Sequence, residues 1–401
     1  MFRVKKNIII PVLIILLLSL SILISNAAAD SLIIHFIDVG QADSIFIQLP
    51  NSQTMLIDGG NNGDGSLIIN YIKGLKKSNN KIDYLIGTHP HEDHIGGLDD
   101  IINEFDIGRV FMPKVSHSSK TFEDLMLAIR DNGLKISAAQ VGQTIFNDDN
   151  IDLKAVILSP GRDSYDELNN YSVVIRLVYG DTTYLFTGDA EGLVENELLR
   201  QQLDLKANVL KVAHHGSSSS TGERFLKAVA PQYAVISVGK DNSYGHPSQL
   251  IIDRLQRDNI KVYRTDRQGT IIASSDGNKI KFNKKELVMD SNALRDTGVY
   301  LSMVTLTGSV ESVVISNNTA NTVNLSNWKL VSEVGGQEYI FPKGTEIPAQ
   351  GQLKVVSGRG AKAEQPGIIL WNNSYIWNND GDPAILYAPS GQLVSRFPRE
   401  E

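Results

Sequence analysis

Thr88-His89-Pro90-His91-Glu92-Asp93-His94-Ile95-Gly96-Gly97 is the stretch on which the reading of this chain turns. Three histidines and an aspartate fall within six residues, His89 to His94. They come straight after the apolar run Tyr84–Thr88, which reads as a strand. A loop of this kind can bring two imidazoles to one metal ion, and a carboxylate plus an imidazole to a neighbouring one. Gly96-Gly97 allows a tight turn into the helix that follows. Cysteine is absent from the 401 residues. That removes disulfides, thiolate catalysis and sulfur-based zinc sites. Imidazole and carboxylate oxygen suit zinc, manganese or iron.

Outward from the loop, short apolar strands alternate with amphipathic helical segments. Strands are expected at Leu32–Asp38, Ser44–Gln48, Thr54–Ile57, Arg109–Met112, Leu153–Leu158, Val173–Val178, Thr183–Thr187, Val209–Val212, Tyr233–Val238, Val262–Arg264 and Thr270–Ala273. Helical periodicity marks Ser66–Lys76, Leu98–Glu104, Thr121–Asn132, Glu191–Gln201, Gly222–Ala228 and Ser248–Asp258. This α/β pattern runs for about 250 residues. Beyond Leu287–Thr297 only strands and turns follow, at Val299–Leu306, Ser312–Ser316, Trp328–Ser332, Leu353–Ser357 and Ala384–Tyr387. Their spacing suggests a β-sandwich. Trp328, Leu330 and Leu386 read as its core, and Trp371 and Trp377 as partly exposed contact residues.

The N-terminus carries Arg3, Lys5 and Lys6, then the apolar run Ile8–Ile24, then Asn26-Ala27-Ala28-Ala29-Asp30. This describes a secretory signal peptide cleaved after Ala29. The competing reading is an uncleaved anchor. The expected division is a leader at 1–29, an α/β domain carrying the histidine loop at 30–288, a linker at 289–297 and a second domain at 298–401. The remainder is expected outside the cytoplasm, secreted or associated with the cell surface, with no membrane span after cleavage. The formal net charge is −7, and removing residues 1–29 takes it to −10. That balance argues against a wholly basic nucleic-acid binder. Residues 251–285 nevertheless hold nine Lys/Arg against four Asp/Glu. Arg254, Arg257, Lys261, Arg264 and Arg267 could form a local track for phosphates, or a solvated face.

The loop resembles the H-x-H-x-D-H signature of the metallo-β-lactamase superfamily. The resemblance extends to Phe36-Ile37-Asp38-Val39-Gly40-Gln41-Ala42-Asp43-Ser44, Leu56-Ile57-Asp58-Gly59-Gly60 and Leu185-Phe186-Thr187-Gly188-Asp189-Ala190. It continues through Leu210-Lys211-Val212-Ala213-His214-His215-Gly216-Ser217 and Tyr244-Gly245-His246-Pro247. The set is most similar to the hydrolase domain of bacterial DNA-internalisation competence proteins. It implies an αββα sandwich, followed here by an all-β immunoglobulin-like sandwich. It also implies two divalent metal ions, zinc or manganese. His89 and His91 would bind the first, Asp93 and His94 the second, and Asp189 would bridge them. One of His214 and His215 would complete the second site while the other faces substrate. Residues leaving a strand alternate in direction, so both binding one ion is not expected. Asp93 and His246 take the catalytic roles, with His246 protonating a leaving group, binding phosphate or only filling a turn. Asp58 would buttress a metal-binding histidine. The superfamily's third histidine for the first ion is missing. His117 is the only histidine between His94 and Asp189, and Leu168-Asn169-Asn170-Tyr171-Ser172 offers asparagines in the matching region.

The C-terminal elements Asn327-Trp328-Lys329-Leu330 and Ile376-Trp377-Asn378-Asn379-Asp380-Gly381-Asp382 resemble a lamin-tail domain, which implies a binding or localising role for a surface or polymer ligand. Together these resemblances imply a secreted phosphodiesterase, foremost a nuclease acting on DNA through a metal-activated water. Gly216, Ser217–Ser220 and Thr221 could offer donors to phosphate. The alternatives are a hydrolase of a small phosphodiester, such as a choline ester on a surface polymer, and a non-catalytic surface-binding protein. The missing histidine places β-lactam hydrolysis below both enzyme readings.

Overall fold

The structure is a computed structural model that describes residues 31–75, 80–287, 298–305, 309–317, 319–363, 365–377, 382–391 and 393–397. The leader at 1–29, the linker at 289–297 and Asn378 to Gly381 lie outside the described residues. Among the described residues, no helix is long and apolar enough to cross a membrane.

The first fifteen strands are β1 (Leu32–Phe36), β2 (Ile45–Gln48), β3 (Thr54–Ile57), β4 (Lys81–Ile86), β5 (Asp106–Met112), β6 (Ile136–Ala138), β7 (Thr144–Asp148), β8 (Leu153–Ser159), β9 (Val174–Tyr179), β10 (Thr182–Phe186), β11 (Val209–Lys211), β12 (Tyr233–Ile236), β13 (Lys261–Arg264), β14 (Ile271–Ser275) and β15 (Ile280–Phe282). The helices are α1 (Gly65–Gly74), α2 (Glu92–Ile95), α3 (Leu98–Glu104), α4 (Lys120–Asp131), α5 (Gly192–Arg200), α6 (Glu223–Val229), α7 (Gln249–Arg257) and α8 (Thr265–Gln268). One sheet has the order β15-β14-β1-β2-β3-β4-β5-β6 and the other β13-β12-β11-β10-β9-β8-β7.

Period-2 alternation sorts the side chains into layers. Ile34, Phe36, Ile47 and Ile86 meet Ile175, Leu177, Tyr184 and Phe186 between the sheets. The alternate residues Phe46, Leu56 and Leu85 face outward, where Ile68 and Ile72 of α1, Ile101 of α3 and Leu125 of α4 cover them. On the second sheet Leu185, Leu210 and Ala234 face out, under Leu198 of α5, Phe225 of α6 and Ile251 and Leu255 of α7. Each such large apolar side chain, fully buried, stabilises the fold by about 1.5–3 kcal/mol. The result is the αββα sandwich. The described residues between 299 and 397 form all-β structure. One sheet holds Val299–Thr305, Glu311–Asn317, Gln352–Ser357 and Ile368–Asn372. The other holds Glu338–Ile340, Lys329–Ser332, Ala384–Tyr387 and Leu393–Phe397. Ile315, Leu330, Phe341 and Leu386 fill the space between them. Trp377 belongs to that core, at 5 % exposure, and Trp371 packs against it half-buried. Trp377 is therefore not the contact residue that the sequence suggested, because its indole is spent on packing.

The alternation of strand and helix places the site. β3 and β4 pair in parallel, as do β10, β11 and β12. Their carboxyl ends open at one edge, the place where α/β sheets present loops to ligands. Asp58 follows β3, the histidine loop follows β4, Asp189 follows β10 and His214-His215 follow β11.

Candidate metal centre

After β4, Gly87 N donates to Phe111 O at 3.0 Å. Thr88 then closes on Asp58, with N to Oδ1 at 2.8 Å and Oγ1 to Oδ2 at 2.7 Å. His91 caps the short helix α2, which carries Asp93 and His94. The loop packs tightly on residues 59–62. A Cβ on Gly96 would lie 2.2 Å from Asn62 N, and one on Gly97 would lie 2.6 Å from Gly59 O. Both positions need glycine for close backbone approach.

His94 Nδ1 donates to Asp58 Oδ2 at 2.8 Å. Its Nε2 points inward, 3.3 Å from Asp189 Oδ2 and 3.9 Å from Asp93 Oδ2. His215 Nδ1 donates to Ser237 O at 3.0 Å, and its Nε2 lies 3.2 Å from Asp93 Oδ2 and 3.7 Å from Asp189 Oδ2. Asp93, His94, Asp189 and His215 thus offer one ligand atom each, all within 4.8 Å of one another. Beside them, His89 Nε2 and His91 Nδ1 converge at 3.0 Å, while His89 Nδ1 lies 3.2 Å from Thr88 Oγ1 and 3.4 Å from Ser172 Oγ. Ser172 Oγ also accepts from Asp189 N at 3.0 Å.

The electrostatics follow from these contacts. Burial works against the cationic form of His94, but Asp189, Asp93 and Asp58 outweigh it and hold the pKa well above the ordinary histidine value. His215 is raised the same way, by Asp189 and Asp93 against burial. Burial also opposes the charged form of Asp189, yet His94 and His215 bring its pKa well below the usual carboxylate range. Asp93 is lowered too, by His94 and His215 against burial. His89 is pushed well down, by burial and then by the charge on His94, and burial lowers His91 as well. One pocket therefore holds two imidazoles of cationic character between carboxylates, next to two held neutral.

These donors fit a divalent cation. With Nδ1–H committed to Asp58 or to Ser237 O, a neutral His94 or His215 would set a bare nitrogen against a carboxylate. Only a proton or a cation between them relieves that. His94 Nε2 and Asp189 Oδ1 are buried without a hydrogen-bond partner, which a native structure rarely leaves unexplained.

His214 is separate. Both histidines stand in left-handed backbone, φ 50 for His214 and 53 for His215, so the alternation expected of a strand does not govern them. His215 enters the cluster and His214 stays at the rim. His214 Nε2 lies 3.8 Å from Asp189 Oδ2, and its Nδ1 lies 3.2 Å from Ser219 Oγ and 3.5 Å from Glu191 Oε1. The His246 ring sits edge-on to His214 at 5.7 Å and stacks on Tyr244 at 5.7 Å, outside the cluster. Burial, then His214 and His215, pushes its pKa down to about 4. Asn169 contacts His91 and Glu191, and its Oδ1 is buried without a hydrogen-bond partner. It belongs to the segment 168–172, the stretch that the resemblance set against the missing third histidine. His117 is not among the clustered residues; it accepts from Ser119 N at 3.4 Å.

Several functional neighbours went unread in the sequence. Asp43 and Lys211 form a buried pair at 2.7 Å, and Asp43 Oδ1 lies 3.6 Å from His215 Nδ1. Both stand inside quoted motifs, but only the fold joins them. Ser172 and Glu191 are similar cases. Of the five basic residues of the expected track, Lys261 and Arg267 are exposed and the other three are held in ion pairs. Arg254 pairs with Glu333 at 2.7 Å, Arg257 with Glu223 at 2.7 Å and Arg264 with Asp266 at 2.6 Å.

Two sheets between helices, with a His/Asp pocket at the shared strand ends, define a metallohydrolase class of site. The chain belongs to the metallo-β-lactamase superfamily, whose family model matches residues 37–240. The model of the Lamin Tail Domain matches residues 287–400. Among curated proteins, ComE operon protein 3 of Bacillus subtilis (strain 168) is 35 % identical over 257 residues, 59 % of this chain and 32 % of that protein. Competence protein ComA of Neisseria gonorrhoeae is 30 % identical over 192 residues, 48 % of this chain and 25 % of that protein. The chain thus matches a third or less of the length of these relatives. Among solved structures, Igni18, a metallo hydrolase from Ignicoccus hospitalis, is 15 % identical with a TM-score of 0.41, covering 60 % of this chain and 98 % of that one. CmlA, a diiron beta-hydroxylase from Streptomyces venezuelae, is 16 % identical with a TM-score of 0.39, covering 58 % and 52 %.

Proposed function

We propose that this chain is an exported, metal-dependent phosphodiesterase, foremost a nuclease acting on DNA. The observation that carries the proposal is the facing of His94 and His215 nitrogens toward Asp93 and Asp189, an arrangement that calls for cations. His89 and His91 would hold one divalent ion, Asp93, His94 and His215 the other, and Asp189 would lie between them. When bound, such ions polarise a phosphoryl oxygen and lower the pKa of a bound water. The rest falls to the chain. Asp58 fixes the His94 tautomer and Ser237 O that of His215, so each presents Nε2 inward. His214, with Ser219 behind it, stands at the rim where a phosphodiester would approach. His246, kept neutral by burial, lines the same rim. The sequence similarity to competence proteins supports a DNA substrate and a place at the cell surface. The division at residues 30–288 and 298–401 belongs to the same proposal.

A second reading rests on the paired arginines. With Arg254, Arg257 and Arg264 neutralised, and with Tyr244 71 % exposed beside His246, a small phosphodiester with a cationic or aromatic group also fits, through contact with the ring. A substrate panel decides between them. Metal-depleted protein is supplied with Mn²⁺ or Zn²⁺ and given plasmid, single-stranded DNA and small choline phosphodiesters. Cleavage of DNA in preference to the small esters is expected. Cleavage of the small esters alone would favour the second reading, and cleavage of neither would end both.

A further inference from the structure

Within His214–Gly222 three non-glycine residues stand in strained left-handed backbone, with φ of 50 at His214, 53 at His215 and 53 at Thr221. Non-glycine residues stay in that region only where their surroundings over-determine them. For Thr221 the restraints are visible. Its N–H and that of Gly222 donate to the Glu195 carboxylate on α5, the latter at 2.8 Å. Its carbonyl accepts from Arg254 Nη1 on α7 at 3.0 Å.

Arg254 is in turn held by the β-sandwich. Its Nη2 donates to Glu333 Oε1 at 2.7 Å and its Nε at 3.1 Å, with both side chains about 95 % buried (5 % and 4 % exposed). Arg396, on the sandwich strand Leu393–Phe397, donates to Glu333 Oε2 at 2.8 Å and reaches Glu223 at the start of α6 at 3.0 Å. Between Thr221 and the metal centre lies the turn Ser217–Ser220, where Ser220 N donates to Ser217 O at 3.2 Å and Ser219 Oγ meets His214 Nδ1 at 3.2 Å. Ser218 and Ser248 also face Lys329, Val331 and Tyr387 of the sandwich across a small cavity.

We propose that the β-sandwich is a positioning partner of the metal centre. Glu333 fixes Arg254, Arg254 fixes Thr221, and the turn so held keeps Ser219 on His214. The second domain then acts on the substrate side of the first, rather than only as a tethered binding module. The kinetic arm of the test rests on the reading of His214 as facing substrate; the structural arm does not.

The test is backbone-amide exchange of the full chain, followed in peptides that span residues 217–222. Glu333→Gln is expected to speed exchange there about tenfold, the loss of a charge-assisted bond, with the ligand loop at 88–97 unchanged. Glu333→Asp keeps the charge and is expected to restore most of the protection, and Glu338→Gln, at the cavity rim, to leave it untouched. In turnover with a phosphodiester, Glu333→Gln is expected to raise KM several-fold with kcat near wild type. If Glu333→Gln does not fold, Arg396→Gln, which removes the second partner of Glu333, takes its place with a smaller rise expected. Unchanged exchange at 217–222 in a folded variant would overturn the proposal, as would an equal rise throughout the hydrolase sheets. Absence of any turnover in wild type would remove the proposed function and leave the exchange result standing.

Discussion

Two loops supply the histidines of the candidate metal centre, and they are built in opposite ways. The loop at 88–97 leaves β4 without a left-handed residue, folds into α2 and is fixed by short-range contacts to Asp58 and residues 59–62. The loop at 213–222 turns through left-handed backbone at four positions and depends on partners from α5, α7 and the β-sandwich. The first is held by the neighbouring loop after β3 and is legible in sequence. The second stores strain, about 1–2 kcal/mol for each non-glycine left-handed residue, and distant elements hold it through Glu195 and Arg254. The ligand geometry on the β4 side should therefore tolerate changes at the domain interface, while the His214 side should not.

The largest expected effect breaks both loops at their meeting point. Asp189→Ala removes the carboxylate that faces His94, His214 and His215, and metal content and metal-dependent turnover should both fall to background. Gly96→Ala attacks the first loop alone. Its Cβ meets backbone at 2.2 Å, so a loss of about 3 kcal/mol is expected in denaturant unfolding. Asp58→Asn leaves the loop in place but weakens the orientation of His94, and calorimetric metal affinity should drop about 10–100-fold.

The second loop carries its own pH signature through Glu195. Burial raises its pKa to about 7 from 4.5, against the pull of the Gly222 and Thr221 N–H groups and of Arg254. The folded state therefore holds a proton that the unfolded state has released between pH 4.5 and about 7. This contribution to stability is complete below pH 4.5 and is lost as pH rises through about 7. The difference between wild type and Glu195→Gln in unfolding free energy should shift by on the order of 2–3 kcal/mol across that window. A pH-independent difference would mean that Glu195 stays ionised. The smallest effect belongs to Ser219→Ala, which removes one hydroxyl from His214. A change of about 0.5–1.5 kcal/mol in transition-state stabilisation is expected, read as kcat/KM.

The contrast between the loops also explains what the sequence disclosed. His89, His91, Asp93 and His94 share one loop, so their convergence is a local property of spacing. Asp189 was readable only through the resemblance of Leu185-Phe186-Thr187-Gly188-Asp189-Ala190 to the superfamily; the pairing of β10 with β11 sets it beside His214 and His215. The division of labour between those two histidines was not readable, since left-handed backbone cancels the strand rule. Asp43 and Lys211 were invisible as a pair because Asp43 lies by β2 of one sheet and Lys211 in β11 of the other, and only the packing of one sheet on the other brings them together. Most strand and helix cores follow the expected positions to within a few residues. The short strands β6, β7 and β15 were missed. Ile136–Ala138 is exposed at both ends and sits at a sheet edge, so its conformation comes from pairing with β5 rather than from a pattern of its own. The basic residues of 251–285 show the converse limit: composition reveals charge, but not that Arg254, Arg257 and Arg264 have acidic partners.

The most direct test of the central claim is a titration of metal-depleted protein with Mn²⁺ and, separately, Zn²⁺, with metal bound per chain and phosphodiester cleavage followed in the same samples. The account predicts that bound metal and cleavage rise together, and that Asp189→Ala shows neither. Cleavage that persists without bound metal, or a wild-type chain that takes up no metal, would contradict it.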